Sequence, residues 1–446
     1  MASAPKGPWN HLPTELWQLV FDLSDQKELA AISLVSKRLH TQVEPSLYAN
    51  FSWVPHVNQQ LPSISKLGGR DVSEYTKTRR KRRTRGLGPH GPPPFLLLRT
   101  ILNRPELTRY IKDVKVLAPM RQDGLFWDGF EAREGGLSKE ETALCERAIR
   151  RMEHVSRARW EVGLRIGSLE IAIALLLSRL CQIRSIEIRI RGGSMVSSAL
   201  FEALGGPSTM CRLQSIKSVA VSIDQNDYGD PVFDRYGGNP FDIDHQMKAL
   251  MSLPRLEKLS VNCFAPDTIF WPSTLPLAHG LKTLYLNYSD LNEETLRKTL
   301  LATPVLEDLE CELVYDRSMG EYCDGEKLNA ALSLVSDTLR RLVLVIDILY
   351  PNETDDGDGL WNVVRPTGSM KNFKQLRFLI FPLITVVEFT PEPSDLQNIL
   401  PDNLEVMDLK WYPPFPDGSR RRAANRAIKA YHEIKPALGG IYTIFH

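Results

Sequence analysis

The chain reads as an α/β protein in which three short N-terminal helices precede a solenoid of short parallel strands with helices outside. Two observations carry this. Residues 9–53 place apolar side chains at helical spacing between turn and capping signals, and from Leu107 onward a strand-sized apolar motif recurs at intervals suited to stacked repeats. A third observation sets the scale, since 446 residues are enough for more than one structural unit with its own core.

The N-terminal unit begins at Pro13, whose fixed φ and missing amide hydrogen suit the first turn of a helix. Leu16, Leu19, Val20 and Leu23 then share one face, with Trp17 and Phe21 off that stripe. Asp25 with Glu28 forms a capping pattern for a second helix carrying Leu29, Ile32 and Val35, and Ser36 caps a third carrying Leu39 and Val43, which Pro45 is expected to end. About 35 residues cannot bury enough apolar surface to stand alone. The segment lacks cysteine, and its two histidines have no metal-ligand spacing, so a partner is the expected stabiliser.

Leu12-Pro13, Glu15-Leu16, Val20, Leu23, Leu29, the block Val35-Ser36-Lys37-Arg38-Leu39 and Pro45-x-Leu47-Tyr48 resemble an F-box, the module that docks on the Skp-type adaptor of cullin ubiquitin ligases. The resemblance implies an adaptor-binding surface comprising Leu12, Pro13, Leu16, Val20, Leu29 and Val35. An ordinary three-helix N-terminal cap is the alternative reading of these residues.

Residues 54–104 read as a flexible linker or insertion rich in Pro and Gly. It holds a basic run at 77–85 that includes Arg79, Arg80, Lys81, Arg82 and Arg83, open to nuclear import, a phosphate-binding patch or a solvated loop. No aromatic residue interleaves these charges, which argues against nucleic-acid recognition. Gly86, Gly88 and Gly91 spell GxGxxG without the preceding strand or following helix that a dinucleotide site needs.

Residues 105–415 carry L-x-x-L-x-L units beginning at Ile111, Ile183, Ile216, Leu256, Leu281, Leu306, Leu339, Leu376 and Leu404. Leu256, Leu281 and Leu306 are 25 residues apart in succession, and the material between units reads as helix, as at Asn292 to Ala302. A strand and a helix per 20–29 residues define a leucine-rich repeat, in which each unit needs its neighbours to bury its apolar face. This half resembles the irregular leucine-rich repeats of many fungal F-box proteins. An unrelated, leucine-rich α/β fold is the alternative.

The first long interval is expected to hold a helix from the Ser138/Glu141 capping box to about Trp160 and a more buried helix over Ser168 to Cys181. Asp224 to Asn239 and Pro351 to Pro366 read as projecting loops. Residues 416–446, with a helix from about Ser419 to Glu433, read as the C-terminal cap.

Strand alternation predicts an inner face of Lys258, Ser260 and Asn262, then Thr283, Tyr285 and Asn287, then Asp308, Glu310 and Glu312, then Arg341 with Val343 and Val345, then Phe378 and Ile380. The candidate target site on it comprises Tyr285, Asn287, Asp308, Glu310, Glu312, Arg341 and Phe378. Its acidic rung is expected to pair with basic side chains of a target protein and Phe378 to anchor an apolar one. Solvated carboxylates, with the apolar end covered by the cap, are the alternative.

A net charge of +1 argues against a chain-wide electrostatic role with nucleic acid, and no apolar run is long enough for a membrane span. MASAPKGPWN lacks the apolar core of a secretion signal, and six cysteines without CxxC spacing fit reduced thiols, so cytosol or nucleus is expected. No GxSxG, Walker or HExxH motif occurs, so neither cofactor, metal nor catalysis is expected. By resemblance, the chain is the substrate-recognition subunit of a Skp/cullin/F-box ubiquitin ligase. A non-ligase nuclear scaffold that uses the basic run and the repeat surface is the alternative.

Overall fold

The computed structural model describes residues 13–53, 93–117, 138–152, 157–165, 169–191, 213–224, 243–263, 275–287, 291–316, 323–349, 365–386, 393–410, 418–435 and 438. Leu12, the basic run at 77–85, Gly86 to Gly91 and most of both projecting loops lie outside them.

Three helices open the described chain: α1 Thr14–Leu23, α2 Gln26–Val35 and α3 Lys37–Ala49. Asp25 and Glu28 complete the expected capping box, and Ser36 accepts from the Leu39 amide. Pro45 does not end α3 but lies within it. The proline removes one backbone donor near the C-terminal end, where few later turns depend on it.

The chain passes from α3 directly into β1, Asn50–Trp53, the first strand of a ten-stranded sheet whose order follows the sequence without a crossover. The others are β2 Asp113–Leu117, β3 Ser185–Arg191, β4 Ser218–Asp224, β5 Lys258–Cys263, β6 Thr283–Asn287, β7 Asp308–Asp316, β8 Arg341–Leu349, β9 Phe378–Pro382 and β10 Val406–Lys410. All nine pairings are parallel. Every predicted L-x-x-L-x-L unit is therefore a strand, while β1 was not anticipated.

The register explains the repeat. Phe51, Val114, Ile186, Val219, Leu259, Leu284, Leu309, Leu342, Leu379 and Met407 stand side by side across the sheet, all but Phe51 essentially buried. Each such side chain contributes about 1.5–3 kcal/mol on burial, and only against its neighbours. A second ladder runs through the backbone just before each strand: the Lys112 amide donates to Ala49, Arg184 to Lys112, Lys217 to Arg184, and so on to Glu405 on Arg377. Each of those nine positions, directly after the first apolar residue of a unit, is Lys, Arg or Glu. Exposed ion pairs link several of them, among them Lys217–Glu257 at 2.7 Å and Arg377–Glu405 at 3.0 Å.

The intervening helices supply the rest of the core. α4, Pro93–Asn103, buries Phe95, Leu97, Leu98 and Ile101, so the segment expected to be a linker as far as 104 is structured from 93. Pro93 occupies its first position, where a missing amide costs nothing. The helix expected from Ser138 to about Trp160 is two, α5 Lys139–Arg150 and α6 Arg157–Arg165. The buried helix is α7, Leu169–Leu177. Farther on lie α8 Ile243–Met251, α9 Glu293–Leu301, α10 Gly325–Leu332, α11 Leu383–Val386, α12 Pro393–Ile399 and the final α13, Gly418–Ile434. At the head of α10 a Cβ on Gly325 would meet the Arg365 carbonyl and its neighbouring backbone, so this close approach requires glycine.

Candidate functional site

Two surfaces follow from this architecture, one on the N-terminal helices and one on the sheet face opposite the apolar ladder.

On α1 the inward side is formed by Trp17 and Phe21, whose rings stack at 5.7 Å. Phe21 packs with Leu29 and Val43 in a small separate core. Three buried residues leave no room for the wider aliphatic stripe, which therefore faces out: Leu16, Leu19, Val20 and Leu23 are 45, 57, 42 and 86% exposed. Leu34 and Val35, at the end of α2, are 87 and 72% exposed. These make six of the twelve exposed large hydrophobics among the described residues. Half of the exposed large hydrophobics thus fall within residues 16–35, and the four on α1 share one face, the pattern of an interaction surface.

The structure thus places Leu16, Val20 and Val35 of the expected docking set outward and leaves Pro13 exposed at the head of α1. Leu29 departs from expectation. It is 4% exposed, inside the core, and cannot be a contact without opening that core. Leu19, Leu23 and Leu34 extend the outward surface, and the first two carried the required spacing.

The helices are tied to the sheet as well as joined to it. Half-exposed Arg104 pairs at 2.7 Å with Glu44 of α3, a carboxylate 9% exposed, and at 2.9 Å with Glu106. Hydrogen bonds to Glu106 and Glu44 hold its guanidinium above its ordinary value. Gln26 of α2 donates to the Asn50 carbonyl in β1.

On the sheet the predicted face is present in register. Lys258, Thr283, Asp308, Arg341 and Phe378 form one row, with Ser260, Tyr285, Glu310, Val343 and Ile380 beside it. Arg341 is the hub. One guanidinium nitrogen lies 2.8 Å from Asp308, and another 3.0 Å from Glu310. Its carbon lies 5.8 Å from the Tyr285 ring centre and 5.2 Å from that of Phe378. The Tyr285 hydroxyl donates to the other Asp308 oxygen at 2.9 Å, and the Lys258 ammonium sits 4.8 Å over the same ring.

This engagement changes the expected chemistry. Asp308 and Glu310 are held by Arg341 instead of standing open for cations of a target, while Glu312, on the next row, and Asn287 are half-buried. Burial, then the bond to Asp308, pushes the Tyr285 phenol up to about 12. For Arg341 burial alone would lower the value, but the bonds to Asp308 and Glu310 outweigh it and hold the guanidinium above its ordinary value. At the opposite end of the sheet Lys115 and Glu187 form a 2.6 Å pair absent from the sequence reading. They occupy equivalent positions of successive units, which was the available signal.

The buried thiols are protonated at neutral pH. Burial pushes Cys145 and Cys323 up to about 12, and Cys311 still higher. Among the described residues no helix is long and apolar enough to cross a membrane.

Residues 9–52 match the family model described as F-box-like. The N-terminal helices are an F-box-like domain. No curated protein matches the chain. The match covers the segment whose aliphatic stripe faces outward, and the sheet beyond it is a parallel ten-stranded α/β structure.

Proposed function

We propose that the chain is the substrate-recognition subunit of a Skp/cullin/F-box ubiquitin ligase, its F-box-like domain docking on the adaptor and its sheet face holding a target protein. The outward stripe of Leu16, Leu19, Val20 and Leu23 on the F-box-like domain is the observation that carries this reading. F-box domains bind Skp-type adaptors, and burial of these side chains on such a partner supplies what the three-residue internal core lacks.

In this reading the sheet and its helices are an irregular leucine-rich-repeat solenoid, of the kind found in fungal F-box proteins. The strict sequence order of ten parallel strands supports it. Ten strands at about 4.8 Å span roughly 40 Å, wide enough for a protein domain or an extended peptide. The target patch is centred on Tyr285, Arg341 and Phe378, with Asp308 and Glu310 orienting the arginine and Asn287 and Glu312 at its margin. Arg341 and the aromatic rings have the composition of binding hot spots. The receptor is non-catalytic and works by proximity, raising the local concentration of a target lysine near a separate enzyme, in cytosol or nucleus.

The test is co-purification with the tagged full chain. Adaptor and cullin together support a ligase receptor; adaptor without cullin indicates a scaffold, and neither overturns the docking assignment. Proximity labelling with Arg341→Ala and Phe378→Ala together should lose target proteins while keeping adaptor and cullin. If the labelled set is unchanged, the target patch lies elsewhere.

A further inference from the structure

A second site lies on the helical side of the fold. α4, the turn at Pro105–Arg109, α5 and the end of α7 enclose a cleft of about 440 Å³ that opens to solvent. Ile101, Leu102, Pro105 and Leu144 give it apolar walls, and Arg147, Arg151 and Arg179 stand in its lining with no carboxylate among the lining residues.

Among the described residues, Arg147 and Arg151 lack the carboxylate partners that the neighbouring arginines have. On the outer side of α5, Arg150 lies 3.7 Å from Glu146 and 3.6 Å from Glu161, and Arg165 of α6 lies 3.0 Å from the same Glu146. No ion pair of that kind forms at Arg147 or Arg151 with the described residues, and Arg147 donates only to the Ala143 carbonyl of its own helix. Glu106, in the turn that lines the cleft, is already bonded to Arg104. Arg179 donates to the Ala148 carbonyl at 2.8 Å, which holds it against the α5 terminus as part of the cleft wall.

Cations at a helix C-terminus favour the helix dipole, and that accounts for two arginines near the end of α5. It does not account for their lining an apolar cleft together with an arginine from another element. A concave apolar site of a few hundred Å³ with a few convergent polar groups is the usual form of a small-molecule site. Guanidinium groups match carboxylate and phosphate oxygens by paired hydrogen bonds.

We propose that this cleft binds an amphiphilic organic anion, a carboxylate or phosphate headgroup held by Arg147 and Arg151 with its apolar body against Ile101, Leu102, Pro105 and Leu144. The site is separate from the docking stripe and from the sheet face, so its occupancy is independent of the ligase reading.

The experiment is calorimetric titration of the full-length chain with octanoate, octyl phosphate, octanol and inorganic phosphate. At least one of the two amphiphilic anions should bind, and their order identifies the preferred headgroup. Octanol and inorganic phosphate should each bind roughly tenfold more weakly or worse, because each lacks one half of the recognition. Arg147→Gln with Arg151→Gln should weaken anion binding by roughly tenfold or more, whereas Arg150→Gln should leave it unchanged. Arg179 is kept, because its bond to Ala148 also supports the fold. Binding of octanol as tight as that of the anions, equal binding by the double variant, or no binding of either anion at about 10 mM, a weak-ligand ceiling, overturns the assignment.

Discussion

Replacing Leu19 and Leu23 together by Asp separates docking from folding. Both side chains lie on the outward face of α1, 57 and 86% exposed, so removing them opens no cavity. Their loss should cost the chain itself about 1–2 kcal/mol, from the helix propensity of two aspartates and from carboxylates placed toward the C-terminal end of α1. On a partner the same positions become buried, and truncating an apolar anchor there costs about 2 kcal/mol or more. Two anchors give about 4 kcal/mol, close to a thousandfold in affinity, before the cost of facing an apolar surface with carboxylates. Phe21→Ala provides the contrast, because it deletes the largest of the three buried residues, Phe21, Leu29 and Val43, on which Trp17, Ile32 and Leu47 pack. Such a truncation costs about 3–5 kcal/mol and should unfold the unit. Affinity for a purified Skp-type adaptor, with the Trp17 share of the near-ultraviolet circular dichroism, taken as the difference from a Trp17→Phe counterpart, as the folding control, measures both effects. If the double Asp variant keeps the dichroism and binds within about threefold of the parent, the stripe is not the docking surface.

Three further outcomes follow from the sheet and its helices. Arg341→Met removes two charge-assisted bonds to partners about a quarter exposed and should cost about 2 kcal/mol after allowance for solvent; Lys217→Met breaks a pair more than half exposed and should cost about 0.5 kcal/mol or less. Equal melting shifts for the two would refute the hub role of Arg341. Because the Tyr285 phenol is raised from 10.0 to about 12, the fold favours its neutral form; its contribution is complete below pH 10 and is lost as pH rises through 12. Tyr285→Phe should therefore flatten the alkaline loss of stability in that window, measured by denaturant unfolding at stepped pH, and an unchanged slope would count against the Asp308 bond. Gly325→Ala should cost roughly 1–3 kcal/mol because its Cβ would be forced against the backbone at Arg365 and Pro366; an unshifted melting temperature would show that this approach can relax.

The nine strands β2–β10 were legible because each apolar side chain that repeats along the sequence also repeats in space, and alternation fixes which residues share a face. β1 escaped because Asn50–Trp53 is too short to show a period, although Phe51 and Trp53 alternate as its register with Val114 and Val116 requires. α4 was hidden by Pro92, Pro93 and Pro94, which read as breakers, while Phe95, Leu98 and Ile101 behind them had helical spacing. The charged residue that follows the first apolar position of every unit is equally visible in the sequence. The Arg341 network was not visible. Its partners lie 31 and 33 residues away in sequence, and only the parallel register brings the guanidinium between two carboxylates that alone read as an open acidic rung.

The same register bears on how the two surfaces cooperate. α3 enters β1 without a loop, the Lys112 amide closes onto the Ala49 carbonyl, and Arg104 holds Glu44, so the N-terminal helices are joined directly to the first strand of the sheet rather than through a tether. Each later strand is positioned by its predecessor through backbone bonds at its entry, the parallel ladder and buried apolar side chains. In a proximity receptor, a rigid path from adaptor to target restricts which lysines can be reached, whereas a flexible tether spreads its effective concentration over all of them. In the proposed receptor the apolar ladder that runs from Phe51 through Leu342 would therefore hold the stripe on α1 at a set distance from the patch at Arg341, and so would limit which target lysines are modified.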